Sequence, residues 1–124
     1  MIDAKLLQKK ILANGKVEGH EVELLRSVLY EKGEIGRVEI EFLVDLHRRV
    51  ERVTPAFEHF FYTAIKKYVL ADKKISAPEA LWLRGIILDD GKVSERDKKL
   101  LRELKGEATR SSPEFEELVQ EIAG

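Results

Sequence analysis

Displacing the chain by 58 residues lays most of its first half on its second. ILANGKV (residues 11–17) falls on VLADKKI (69–75), and EVELLR (21–26) falls on EALWLR (79–84). KGEI (32–35) meets DGKV (90–93), and RVTPAFE (52–58) meets RSSPEFE (110–116), all without a gap. A sequence that repeats itself builds one supersecondary unit twice, because each copy carries the same turns and the same apolar pattern. With 124 residues, the chain has the length of one domain with its own core. The expected division is into halves of roughly 1–58 and 59–124 within that domain, related by a pseudo-twofold.

A shorter period of 18 lies inside each half. NGKVEGHE, KGEIGRVE, DKKISAPE and DDGKVSERD share one pattern: a small or polar pair, then Val or Ile, then an acid four residues on. The β-branched residue is Val17, Ile35, Ile75 or Val93, and the acid is Glu21, Glu39, Glu79 or Asp97. Each copy reads as a junction between two helices. Gly15, Gly33 and Gly91 suit the left-handed position after a helix end. Lys73 takes that place in the third copy, where its Cβ is penalised. Ser76 with Glu79, and Ser94 with Asp97, have the capping-box spacing, and the acid also faces the positive end of the helix dipole. Thr54-Pro55 and Ser112-Pro113 are helix starts of another kind, a capping hydroxyl followed by proline at the first helical position.

These marks predict seven helices, over 2–13, 18–31, 37–52, 55–71, 76–89, 95–107 and 113–123. Between them the apolar residues recur at three- and four-residue steps, as at Ala80, Leu83, Ile86 and Ile87, and no segment alternates with period two. The fold class is all-α, with short turns that set neighbouring helices antiparallel.

The stretch ILDDGKVSERD (87–97) is half of a calcium loop. With Gly91 at position 6, Asp90, Val93 and Asp97 fill positions 5, 8 and 12, but Ile86 and Leu88 stand where positions 1 and 3 need oxygen. The other three copies also lack carboxylates at those places, and calcium takes six to eight oxygens. Successive loops are separated by about 14 helical residues, about 21 Å. A metal site therefore needs acids from two junctions. Asp90 and Asp97 would join Glu18 or Glu21, and Asp72 and Glu79 would join Glu39. Helix capping alone also accounts for all of these acids.

LANGKVEGHEVELL and LDDGKVSERDKKLL resemble the A-D-G-x-[VI]-x-x-x-E turns of the tellurite-resistance TerB-like family. The resemblance implies an all-helical fold of about seven helices with an internal duplication. It also implies association with a stress-related or membrane-associated complex. The acidic site proposed for that family corresponds here to Asp72, Glu79, Asp90 and Asp97. Asn14, Lys32 and Lys73 depart from the pattern, which weakens a shared acidic site in the first half.

Other chemistry is thinly represented. There is no cysteine, so disulfides and thiolate sites are excluded. His20, His47 and His59 lack the i, i+4 spacing of a helical zinc site. No nucleophile elbow, glycine-rich phosphate loop or H-E-x-x-H motif occurs, and an enzyme is not expected. Lys and Arg number 22 against 23 Asp and Glu, so the basic surplus of a nucleic-acid binder is missing. The basic run around His47, Arg48, Arg49, Arg52, Lys66 and Lys67 is diluted by Glu51 and Glu58. No apolar run has the length of a membrane span or a signal peptide, and the expected location is cytoplasmic.

The two halves differ most informatively in polarity. Leu81 and Trp82 stand where the first half has Glu23 and Leu24, and Leu88 extends the same apolar surface. On the preceding copy, Val38, Ile40 and Val44 answer to Arg96, Lys98 and Arg102. Burial in a seam between the halves is the simpler account of these residues. The other is an exposed patch at Leu81, Trp82 and Leu88 that takes a protein partner or a second copy. The expected function is a non-catalytic protein-interaction module without a cofactor. The alternative is a module that responds to a divalent cation through a composite acidic site.

Overall fold

A computed structural model describes residues 4–31, 33, 35–88 and 93–123. Among them are seven α-helices and one pair of two-residue strands, so the chain is all-α in architecture. It falls into two compact units, Met1–Ile65 and Lys66–Gly124. The first holds α1 (Ala4–Asn14), α2 (Gly19–Leu29), α3 (Arg37–Arg49) and most of α4 (Pro55–Val69). The second holds the end of α4, then β1 (Lys74–Ile75), α5 (Ala77–Ile87), α6 (Glu95–Glu107), β2 (Arg110–Ser111) and α7 (Pro113–Ile122).

In the first unit α1 packs on α2, and Ile11, Leu25, Ile40, Leu43, Phe57 and Phe61 are fully buried. His47 of α3 lies flat on the Phe61 ring, with centroids 3.8 Å apart and planes 7° from parallel. In the second unit α7 packs on both α5 and α6, enclosing Leu83, Leu101, Leu104 and Phe115. The residues buried on α5 (Ala80, Leu83, Ile87) and on α7 (Phe115, Leu118, Val119) keep the three- and four-residue steps of one helical face.

The junction motif is explained by its buried residue. Val17, Ile35 and Ile75 are buried in short extended segments, and Val93 is half-buried. Val17, Ile75 and Val93 anchor the entry to helices whose first turn is then capped by side chains, whereas α3, after Ile35, starts at Gly36 without a side-chain cap. Ser76 Oγ accepts the Glu79 N–H at 3.3 Å while Glu79 Oε1 accepts the Ser76 N–H at 2.9 Å. Ser94 and Asp97 repeat the exchange at 3.1 and 3.0 Å. Thr54 and Ser112 cap the helices that begin at Pro55 and Pro113.

Two local features differ from the sequence expectation. The helix expected over 37–52 ends at Arg49, because Val50 turns to an extended conformation (φ −69°, ψ 142°). The chain is drawn out there to hydrogen-bond the residue after α1: the Arg52 N–H donates to the Gly15 carbonyl at 2.9 Å, and Lys16 bridges Arg52 in parallel. The second feature is β1 paired with β2, Lys74 opposite Arg110 and Ile75 opposite Ser111, in parallel register. No period-two pattern announces so short a ladder, which forms where the extended caps of two helix starts pass side by side.

Backbone conformations recur at the 58-residue offset. Gly15 has φ +83° and Lys73 has φ +60°. The residue before α2 is Glu18 (φ −82°, ψ 166°) and that before α5 is Ser76 (φ −79°, ψ 168°). Val50 after α3 and Ala108 after α6 are both extended, the latter at φ −72° and ψ 137°. Gly91, expected in the same left-handed class, lies outside the described residues.

Candidate functional site

One face of α5 carries no charge. Ala77, Pro78, Leu81, Trp82, Gly85 and Leu88 follow one another around it, while the buried residues lie on the opposite side. Leu81 is 63% exposed, Pro78 and Gly85 are exposed, and Trp82 and Leu88 are half-buried. The indole of Trp82 leans on Tyr68, with ring centroids 5.4 Å apart at 56°. Of the two accounts of Leu81, exposure is the one seen. In α2, which begins and ends 58 residues earlier, the same positions read His20, Glu23 and Ser27, and the Glu23 side chain is 72% exposed. The helix does not need an apolar residue there in order to fold.

Gly85 sharpens the point. A Cβ at this position would meet nothing within 4 Å, so no neighbour among the described residues requires glycine. Glycine within a helix costs about 1 kcal/mol relative to alanine. The cost leaves a shallow place between Leu81 and Leu88 where another backbone can approach.

The face is bounded on both sides. On one side stands the Trp82–Tyr68 pair. On the other, Arg84 donates two hydrogen bonds to the Glu121 carboxylate of α7, at 2.6 and 2.9 Å. The Arg84 guanidinium holds the Glu121 carboxyl below its ordinary value of 4.5, and Glu117 acts on the same arginine. α7 carries Glu114, Glu116, Glu117 and Glu121 and no basic residue. Glu114, Glu117 and Glu121 share one side of it by helical spacing. Arg84 offsets Glu121, and Glu114 and Glu117 leave this border of the apolar face with a net negative charge.

The acids singled out for a metal have local partners. Asp72 Oδ1 accepts the Lys74 N–H at 3.0 Å, and Glu79 and Asp97 hold the capping bonds described above. Asp90 lies outside the described residues. Among the described residues, the potential ligands that gather as a group are Glu18, His20 and Glu21, with ligand atoms within 4.8 Å of one another. Glu21, 8% exposed, accepts the Glu18 N–H at 3.1 Å through Oε1. Glu18 lies 3.7 Å from His20 Nδ1 and 3.8 Å from Lys16 Nζ. Capping and pairing account for this trio, and a lysine ammonium beside the carboxylates opposes a second cation. Sequence spacing pointed to Glu18 and Glu21, whereas His20 joins them because it stands in the same first helical turn.

The basic run of α3 and α4 is partly neutralised. Arg49 pairs with Asp45 at 3.3 Å, and Lys66 pairs with Glu107 and, at 3.9 Å, with Glu103. No helix is long and apolar enough to cross a membrane, among the described residues. No protein-family model matches the chain, and neither does any curated protein or solved structure.

Proposed function

We propose that the chain is a non-catalytic protein-interaction module whose contact surface is the outer face of α5. The carrying observation is Leu81, 63% exposed at a position where the corresponding helix of the first unit has an exposed glutamate. An apolar side chain that the fold does not require, set beside a half-buried tryptophan and a helical glycine, is what a docking surface needs. Apolar area there supplies the affinity, and a small residue permits close approach. The junction acids act in this reading as helix caps.

The two units are proposed to derive from one duplicated segment. The 58-residue offset between the ends of α2 and α5 and of α3 and α6, with the left-handed residues at Gly15 and Lys73, supports this. The seven helices and the recurring loop fit the resemblance to TerB-like proteins. From that resemblance the proposal takes a role within a stress-related or membrane-associated complex.

The test is photocrosslinking in the cells that make the protein, with p-benzoylphenylalanine placed at residue 81 or, as the internal control, at residue 23. A discrete covalent adduct from position 81, absent from position 23 and lost in a Gly85→Glu background, is expected. Equal labelling from both positions, or none from either, overturns the proposal.

A further inference from the structure

Among the helices, α1 and α7 each carry charges of one sign. α1 has Lys5, Lys9 and Lys10 and no acid, whereas α7 has four glutamates and no base. On α1, Leu6 is 57% exposed, and Lys9, Lys10 and Ala13 are exposed as well. At 100° per residue these four share one narrow face, with Leu6 and Ala13 on its midline and a lysine to either side. That is a short apolar ridge with basic edges. The outer face of α5 is its complement, an apolar strip with an acidic edge formed by Glu114, Glu117 and Glu121 of α7.

We infer that the occupant of the α5 face is a second copy of this chain, with its α1 laid along α5 and one basic edge of that helix against α7. Leu6 of one copy meets Leu81 of the other beside Gly85, and the lysine on the α7 side of the ridge approaches Glu114 and Glu117. Opposite charge selects this pairing over the obvious alternatives. Laying α5 on α5 brings two acidic borders together, which costs affinity. An anionic membrane surface is repelled by the same glutamates. Every copy carries both partners of the contact. The inference rests on the proposed role of the α5 face and names its partner.

The experiment is sedimentation equilibrium of the purified chain from micromolar to high micromolar concentration, with far-UV circular dichroism to confirm that each variant is folded. Reversible self-association is expected, weakened by added salt because the charges at the border are exposed. Leu81→Glu should raise the dissociation constant about 30-fold or more, the effect of losing one anchor residue. The discriminating arm is charge exchange. A Lys9→Glu/Lys10→Glu chain and a Glu114→Lys/Glu117→Lys chain should each associate poorly alone and associate again when mixed. A single monomeric species at every concentration overturns the inference, as does association indifferent to the lysine changes or unrestored by mixing. If position 81 still crosslinks a different protein in cells, the role of the α5 face stands and only its assignment to a second copy is lost.

Discussion

Replacing Lys73 with glycine should stabilise the protein although it deletes a long side chain. Lys73 has φ +60°, a conformation that costs a residue with a Cβ about 1–2 kcal/mol. It is held there by its neighbours. Its N–H donates to the Leu70 carbonyl at 2.9 Å, and its own carbonyl accepts the Thr109 N–H at 2.8 Å and the Thr109 hydroxyl at 2.9 Å. Glycine keeps all three bonds and removes the strain, but it enlarges the conformational freedom of the unfolded chain, at about 0.5–1 kcal/mol. The balance is a gain of about 0.5–1 kcal/mol. For a chain of this size that is a rise in Tm of about 2–4 °C. Urea unfolding followed at 222 nm should show a higher midpoint with an unchanged slope, which places the effect in stability rather than in the area exposed. Lys73→Ala is the control: it shortens the side chain, keeps the Cβ, and should give no comparable gain. Gly15→Ala is the mirror, at φ +83° with the new Cβ 3.0 Å from a Glu51 carboxylate oxygen, and should destabilise by about 1–2 kcal/mol. A destabilised Lys73→Gly chain, or equal gains from glycine and alanine at 73, would refute the reasoning.

Gly85→Ala should stabilise the isolated chain by about 1 kcal/mol in thermal unfolding and weaken self-association in sedimentation, because the new methyl occupies the contact face. Ser76→Ala and Ser94→Ala should each cost about 1 kcal/mol, by the same amount in chelator as in millimolar calcium, magnesium, manganese or zinc. A cation-selective loss in Asp97→Ala would instead move the junction acids to a metal site. The Glu121 carboxyl is held low by Arg84, and that of Glu116 by the Ser111 hydroxyl and then Lys105. A depressed carboxyl contributes stability that is present above its unfolded value and lost as pH falls through its folded one. Stability should therefore decline below the ordinary carboxylate value of 4.5. The decline should be shallower in Arg84→Gln, measured as urea midpoint against pH.

Much of the fold was legible because its punctuation is local. Ser94 and Asp97 fixed the start of α6, and Pro113 fixed that of α7, since a cap or a proline acts within one turn. The end of α3 was not legible. The chain leaves the helix at Val50 so that the Arg52 N–H reaches the Gly15 carbonyl, a partner remote in sequence. The same remoteness hid the β1–β2 pair. The left-handed Lys73 was readable through its alignment with Gly15, which shows how a repeat supplies an internal reference. For the candidate site, the aligned pair Glu23 and Leu81 marked the position at which the halves differ, but composition alone could not say whether Leu81 was covered. Its exposure depends on which side of α5 turns toward α7, a property of packing. The acidic border emerged only once Arg84 was seen bonded to Glu121, 37 residues away.

Trp82 is the only tryptophan and stands at the edge of the α5 face, so its emission reports directly on whether that face is covered. The decisive measurement is acrylamide quenching of Trp82 as the concentration of the purified chain is raised. If a second copy covers the face, the wild-type indole becomes less accessible and its emission moves to shorter wavelength with concentration, whereas the Leu81→Glu chain shows neither change. Quenching that is constant across the range in the wild type, or that falls equally in Leu81→Glu, would contradict the account.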